Sequence, residues 1–256
     1  MRIASWNIAG GRTITSQNSD ALTVNNDREQ IGYFVKALCN THPQVIALQE
    51  VHKPLDASRL AQSDNIAEEL GMQVTTAQSY GNSHIEQGQQ LSLANLSEYP
   101  IKKTIFHLLP NPNLTVNRSD GQVWRTLDVG FLISDIDYQG ETIRIANGHM
   151  IPLHYFDRNY LEPEFQPVRD DLTGLFTQIA DVPTIIAGDF NYPDLNKLIP
   201  GVFANNLYLE AFREDTTPIK GQQDHVLLSQ HWTLKKSEVK KVDTDHYLCI
   251  IDGQLR

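Results

Sequence analysis

Four apolar stretches of this sequence each end in a side chain able to bind a cation or a phosphate. Asn7 ends residues 2–8, Glu50 follows Val45-Ile46-Ala47-Leu48-Gln49, His149 follows Ile145-Ala146-Asn147-Gly148, and Asp189 follows Ile185-Ile186-Ala187-Gly188. A polar side chain at the end of a buried strand is held by a rigid core, and several strand ends can share one rim of a sheet. Residues far apart in sequence would then line one pocket. Singly, each has a plainer explanation: Asn7 as a turn residue, Glu50 as a solvated charge, Gly188-Asp189-Phe190-Asn191 as a tight turn, His149 as a satisfied histidine. Four runs that end alike are hard to assign to chance.

The elements that must position these residues are written as short apolar runs and amphipathic stretches. Strands are expected at 2–8, 44–49, 91–96, 129–133, 143–146, 184–187, 226–228 and 247–251. Helical spacing marks 27–40, with Ile31, Phe34, Val35 and Leu38 on one face, and also 57–70 and 168–179. Strands and helices are mixed along the whole chain without a Gly/Ser linker, charge block or repeat, which predicts one α/β (α+β) domain over 1–256. With 256 residues, 40% of them hydrophobic, one core can be buried, and a disordered or fibrous chain is excluded. Cys39 and Cys249 lack metal-ligand spacing, so no zinc site or disulfide framework is expected, and a single bridge is left open. No apolar run is long enough to span a membrane and the first residues do not read as a signal peptide, so the chain is expected to be cytoplasmic, with a processed secreted chain left open.

Six motifs occur in order: Ser5-Trp6-Asn7-Ile8, Leu48-Gln49-Glu50-Val51, Asn147-Gly148-His149-Met150, Gly188-Asp189-Phe190-Asn191, Asp224-His225-Val226-Leu227 and Thr244-Asp245-His246. Together they resemble the motifs of the endonuclease/exonuclease/phosphatase superfamily, and the resemblance runs from residue 5 to residue 251. It implies a four-layer sandwich, two mixed β-sheets face to face flanked by helices, and metal-dependent hydrolysis of phosphoesters. Glu50, Asp189, Asp224 and Asp245 would converge in such a site and repel strongly without a cation. Mg2+ or Mn2+ suits oxygen ligands such as Glu50, Asp245 and the amide oxygen of Asn7. The resemblance further implies Asp189 as the base that aligns or deprotonates the attacking water, and Asn191 as a donor to that water or to a phosphate oxygen. His246, oriented by Asp224, would stabilise charge on the phosphorane, and His149 would hold another phosphate oxygen.

Substrate class is written less plainly. A formal net charge of -10 repels duplex DNA, so a nucleic acid would have to be held locally or through a bound cation. Residues 152–169 carry Tyr155, Phe156, Tyr160, Phe165, Arg158 and Arg169, a mixture suited to stacking bases and touching phosphates, against which stands a loop packed on the sandwich edge. Tyr155 and Arg169 are the candidates there. Gln90, or Gln89 by a one-residue slip, stands nearest to the place where many relatives carry a Tyr or Glu that contacts phosphate or orients the first histidine. Glu98 replaces the usual Arg of a Leu-Ser-Arg-Tyr-Pro-Ile strand. The expected substrate is a phosphodiester, DNA first, cleaved internally or at an end, with no stable protein partner. A small-molecule or lipid phosphate is the alternative favoured by the acidic balance, and a non-catalytic binding module is disfavoured by the intact motifs. His42, His52, His84, His107, His154, His225 and His231 carry no partner signal, His154 being the least secure of these because it follows His149 by five residues.

Overall fold

Extended chain points successive side chains to opposite faces. In the computed structural model, which describes residues 1–14, 22–23, 28–118, 121 and 123–256, this parity sorts the strands into separate apolar cores. Ile3 of Arg2–Asn7 packs with Val45, Ala47, Ile145, Ile185, Val226 and Ile251 between two sheets. Its neighbours Ala4 and Trp6 pack outward with Ile46, Leu48, Phe34, Leu38 and Ile66. Phe34 and Leu38 belong to the helix Arg28–Cys39, and Ile66 to the helix Gln62–Leu70. Ala146, Ile186 and Leu227 face away from the first sheet, toward Leu172 and Phe176 of the helix Gln166–Ile179. The layers are therefore helices, sheet, sheet, helix, as expected, and each large aliphatic side chain buried there contributes about 1.5–3 kcal/mol.

The first sheet runs Trp232–Lys240, Leu248–Leu255, Arg2–Asn7, Val45–Pro54, Gln89–Ser97 and Gln73–Val74, with Gln78–Asn82 also paired to Gln89–Ser97. The second runs Tyr208–Glu210, Asp224–Ser229, Thr184–Asp189, Glu141–His149, Gly130–Tyr138 and Ile101–Leu108. Both are mixed, since Arg2–Asn7 lies parallel to Val45–Pro54 and Glu141–His149 parallel to Thr184–Asp189. Near one rim the sheets are joined by amides. Gln49 Nε2 donates to Asn147 Oδ1 at 2.7 Å, and Asn147 Nδ2 donates to the carbonyls of Leu48 at 2.9 Å and Ala94 at 3.0 Å. Buried and hydrogen-bonded, this pair fixes how the sheets sit against each other just below Glu50 and His149.

Several boundaries differ from expectation for local reasons. The helix expected from residue 57 starts at Gln62, because Asp56 Oδ1 accepts from the Ser58 N–H in a turn and Asp64 accepts from the Ala61 N–H at the true helix start. Asp27, the expected first residue of the first helix, lies outside the described residues. The strands Ile101–Leu108 and Trp232–Lys240 went unread because each is half exposed and carries no apolar run. Cys39 and Cys249 are both free, one exposed and one buried, so the bridge left open is not formed. Among the described residues no helix is long and apolar enough to cross a membrane.

Candidate active site

The parity that sends Ile145, Ile185 and Val226 into the core between the sheets carries His149, Asp189 and Asp224 to its rim. The ladder then aligns them, His149 opposite Asp189 and Asp189 opposite Asp224. Asn7 arrives by the same alternation from Ile3. Glu50 does not, because inward-facing Gln49 would leave its neighbour on the helical side. A bulge between Leu48 and Val51, with Glu50 in the left-handed region at φ 51, turns its carboxylate to the rim instead. Asn191 is also left-handed at φ 49. Strained residues of this kind cost about 1–3 kcal/mol each and persist where their surroundings over-determine them.

The side chains meet closely. Asn7 Nδ2 donates to Glu50 Oε1 at 3.0 Å and to Asp189 Oδ2 at 3.1 Å, while its oxygen accepts from the Ala9 N–H at 3.0 Å. The amide oxygen expected to face a cation thus serves the backbone, and the amide nitrogen holds two carboxylates in place. His149 Nε2 lies 3.7 Å from Glu50 Oε1, 3.6 Å from Asp189 Oδ2 and 3.2 Å from Asn191 Nδ2. His246 Nε2 lies 3.6 Å from the same Asp189 oxygen, and its Nδ1 is 2.8 Å from Asp224 Oδ2. Asp189 Oδ1 accepts from the Asn191 N–H at 2.8 Å, and Trp6 Nε1 fixes the His246 carbonyl at 3.0 Å.

Electrostatics separate the acids. Burial works to raise the Glu50 carboxyl, but His149, His84, the Asn7 amide and His246 outweigh it and hold Glu50 below its ordinary value. Burial raises Asp189 despite the flanking His246 and His149, and Asp224 adds to the rise. Burial likewise raises Asp245, with Glu50 adding to it. The His246 imidazole is held well above its ordinary value: burial opposes this, and Asp224, Asp189 and Asp245 overcome it. Ligand atoms of Glu50, His149 and Asp189 lie within 4.8 Å of one another, as do those of Asp189, Asp224 and His246. Asp245 Oδ1 and Asp224 Oδ1 are buried without a hydrogen-bond partner. Unsatisfied carboxylate oxygens beside further acids are a donor set that fits a hard divalent cation.

Other candidates fall elsewhere. Gln90 sits within its strand in register with Lys53 and Asn82. The group that meets His149 is Tyr80, whose hydroxyl is 2.8 Å from Nδ1 and also accepts from the Glu50 backbone N–H. Nothing in Gln78-Ser79-Tyr80-Gly81-Asn82 singles out that tyrosine by pattern. Arg12 was also missed; it sits near enough to Glu50 and Asp245 for both to act on its guanidinium. Arg169 points into its own loop, donating to the carbonyls of Tyr160 and Glu162. Tyr160, read as a stacking residue, is 2% exposed and donates its hydroxyl to the Ile151 carbonyl at 2.7 Å. Tyr155 is only half-buried and packs 5.5 Å from the Trp124 ring. Glu98 is exposed at the opposite end of the sheet, where its N–H donates to the Gln44 carbonyl, so its reversed charge does not touch this site. Of the histidines set aside, His225 is buried between Glu210 and the Tyr192 carbonyl, and His107 pairs with Asp171.

The profile of the Endonuclease/Exonuclease/phosphatase family matches residues 4–246, and the chain belongs to that family of phosphoester hydrolases. No curated protein matches it by sequence. Among solved structures it is similar to an endonuclease/exonuclease/phosphatase from Beutenbergia cavernae, with a TM-score of 0.71, 17% identity, and coverage of 100% of this chain and 71% of that one. The mannosyl-6-phosphatase of Bacteroides thetaiotaomicron gives a TM-score of 0.62 and 13% identity over 100% of both chains. D. rerio TDP2 complexed with single strand DNA product gives 0.62 and 13%, covering 99% of this chain and 98% of that one. At these identities the likeness is one of fold.

Proposed function

We propose that this protein hydrolyses phosphodiester bonds with Mg2+ or Mn2+, and that its substrate is DNA, cut internally or at an end. One observation carries the reading: Asp189 is flanked at 3.6 Å by His149 and His246, with His246 tied to Asp224 at 2.8 Å. A base between two phosphate-binding imidazoles is what in-line attack by water requires.

Asp189 accepts the proton of the attacking water, its raised carboxyl being suited to that exchange. Asn191 Nδ2 aligns that water or a phosphate oxygen. His246, charged and braced by Asp224, donates to an oxygen that gains charge as the new P–O bond forms and the bond to the leaving oxygen breaks. His149, held by Tyr80, donates to another phosphate oxygen. Glu50 and Asp245 would hold the cation, with Asn7 steering Glu50. When bound, that cation supplies positive charge to the scissile phosphate and the leaving oxygen.

DNA as substrate is supported by the aromatic rim at Tyr155 and Trp124. Hydrolysis of a small-molecule or lipid phosphate is the second reading, favoured by the net charge of -10. Assays with Mg2+ on plasmid, abasic duplex, 5'-tyrosyl DNA, sphingomyelin and inositol phosphates separate the two. Cleavage confined to the DNA substrates is expected; turnover confined to the small or lipid phosphates would replace the first reading with the second.

A further inference from the structure

Where Arg2–Asn7 ends, Val45–Pro54 runs on past it, and the helix Gln62–Leu70 meets the edge left open. The His52 N–H donates to Gln62 Oε1 at 3.0 Å, and Gln62 Nε2 donates to the Gly10 carbonyl at 2.8 Å. Between this junction and the helix Arg28–Cys39 lies a cavity of about 550 Å3, inside the range of about 300–1,000 Å3 usual for small-molecule sites. Its walls combine half-buried Ile31 and Val35 and exposed Leu60 with His52 and Gln89, which are only 1% and 6% exposed. None of the residues that line it belongs to the catalytic rim.

Each of the two buried side chains carries an unsatisfied polar atom. Ser83 Oγ accepts from the Ile85 N–H at 3.0 Å and the Glu86 N–H at 3.2 Å, so both its lone pairs are used and its own proton goes to His52 Nε2 at 2.9 Å. The ring proton of His52 is then on Nδ1. That donor is buried without a partner among the described residues, and Glu86 Oε2 stands 4.0 Å from it, beyond hydrogen-bond range. Gln89 Oε1 is a buried acceptor in the same condition. Pro54 pairs with Gln89 and His52 with Leu91, which makes His52 and Gln89 diagonal neighbours on one face of the sheet. One cavity wall thus offers an unmet donor and an unmet acceptor side by side, and leaving such atoms unpaired costs free energy that a ligand can restore.

We infer that this cavity binds a planar heterocycle presenting a carbonyl beside a ring N–H, as uracil, thymine and other cyclic amides do. The carbonyl accepts from His52 Nδ1–H, the ring N–H donates to Gln89 Oε1, and Ile31, Val35 and Leu60 meet the apolar faces. A mostly apolar lining with a few placed polar groups is what fixes the orientation of a small ligand. Gly32 leaves the wall of the first helix bare, since a Cβ there would meet nothing within 4 Å. Binding at this place does not depend on the phosphodiesterase reading. A free nucleoside and a base in a strand share the chemistry.

The test is calorimetric titration of thymidine, N3-methylthymidine and oligothymidylate into wild type, Gln89→Leu and Gly32→Leu, with EDTA present so that no cation acts at the rim and circular dichroism to verify the fold. Gly32→Leu adds a side chain to the cavity wall and favours the helix, so it should abolish thymidine binding in a folded protein. Gln89→Leu should raise the Kd for thymidine about tenfold, the size of one lost buried hydrogen bond, and N3-methylthymidine should bind wild type weaker by about tenfold or more. Oligothymidylate that binds tighter than thymidine, and loses that binding in Gly32→Leu, identifies a strand as the source of the base; no gain over thymidine identifies a free nucleoside. Thymidine that fails to bind wild type at millimolar concentration, a Kd that neither variant changes, or equal affinity for the methylated nucleoside would overturn the inference and leave the two atoms to ordered water.

Discussion

A carboxylate that holds a cation and one that takes a proton need opposite surroundings, and Glu50 and Asp189 have them. Histidines and the Asn7 amide hold Glu50 ionised, whereas burial and Asp224 raise Asp189. Tyr80 serves both sides of this division, bonding His149 Nδ1 and the Glu50 backbone. Tyr80→Phe should therefore lower kcat about tenfold with KM little changed, since the imidazole loses its orientation in the transition state while substrate binding persists. Steady-state kinetics on folded protein checks this; a change in KM alone would make Tyr80 a binding residue. The acids, amides and imidazoles were legible because each ends an apolar run or stands in an ordered motif. Tyr80 and Arg12 were not, because a lone tyrosine in a polar stretch and a lone arginine after Gly10-Gly11 acquire meaning only through what folds against them.

At the scale of elements, strand alternation does most of the positioning and two local departures complete it. The first is the bulge that re-aims Glu50. The second is the approach of Glu141–His149 to Thr184–Asp189, where a Cβ on Gly188 would stand 2.0 Å from the Gly148 carbonyl oxygen, at φ 152. Gly188→Ala should cost about 3 kcal/mol or more, read as a lower urea midpoint, because backbone and not a flexible side chain must yield. The loop after His149 shows where sequence pattern fails. Its aromatics have no period, so nothing in the sequence separates half-buried Tyr155 from buried Tyr160. Tyr160→Phe is expected to lower stability by about 1 kcal/mol through the lost bond to Ile151 and to leave KM for DNA unchanged. A selective KM defect on DNA would return Tyr160 to the binding surface. The four-layer plan was legible from alternating elements, whereas the half-exposed strands Ile101–Leu108 and Trp232–Lys240 were not, since a strand with one wet face and no apolar run leaves little signal.

For the whole molecule, the acidic balance has a focus in the convergence of Glu50, Asp189, Asp224 and Asp245 on one rim. The repulsion gathered there means that the proposed cation should also stabilise the fold when it binds. At a Mg2+ concentration about 100 times its Kd, binding adds about 2.7 kcal/mol, or roughly 5–10 °C in Tm for a chain of this size. Glu50→Gln should abolish that increment and the metal-dependent turnover while keeping a folded protein. A full Mg2+-induced rise in Tm in the variant would remove Glu50 from the cation site. Placing a cation on the rim also reconciles a net charge of -10 with a polyanionic substrate, because attraction is then needed only locally.

The central claim is that water attacks a phosphodiester with Asp189 as its base at a metal-loaded rim. Its most direct test is 4-nitrophenolate release from bis(4-nitrophenyl) phosphate by chelator-treated protein, wild type and Asp189→Asn, with Mg2+ or Mn2+ restored. Metal should restore turnover in wild type, and Asp189→Asn should lower kcat by about two to four orders of magnitude with little effect on KM. Turnover that survives without metal, or an Asp189→Asn protein as fast as wild type, would contradict it.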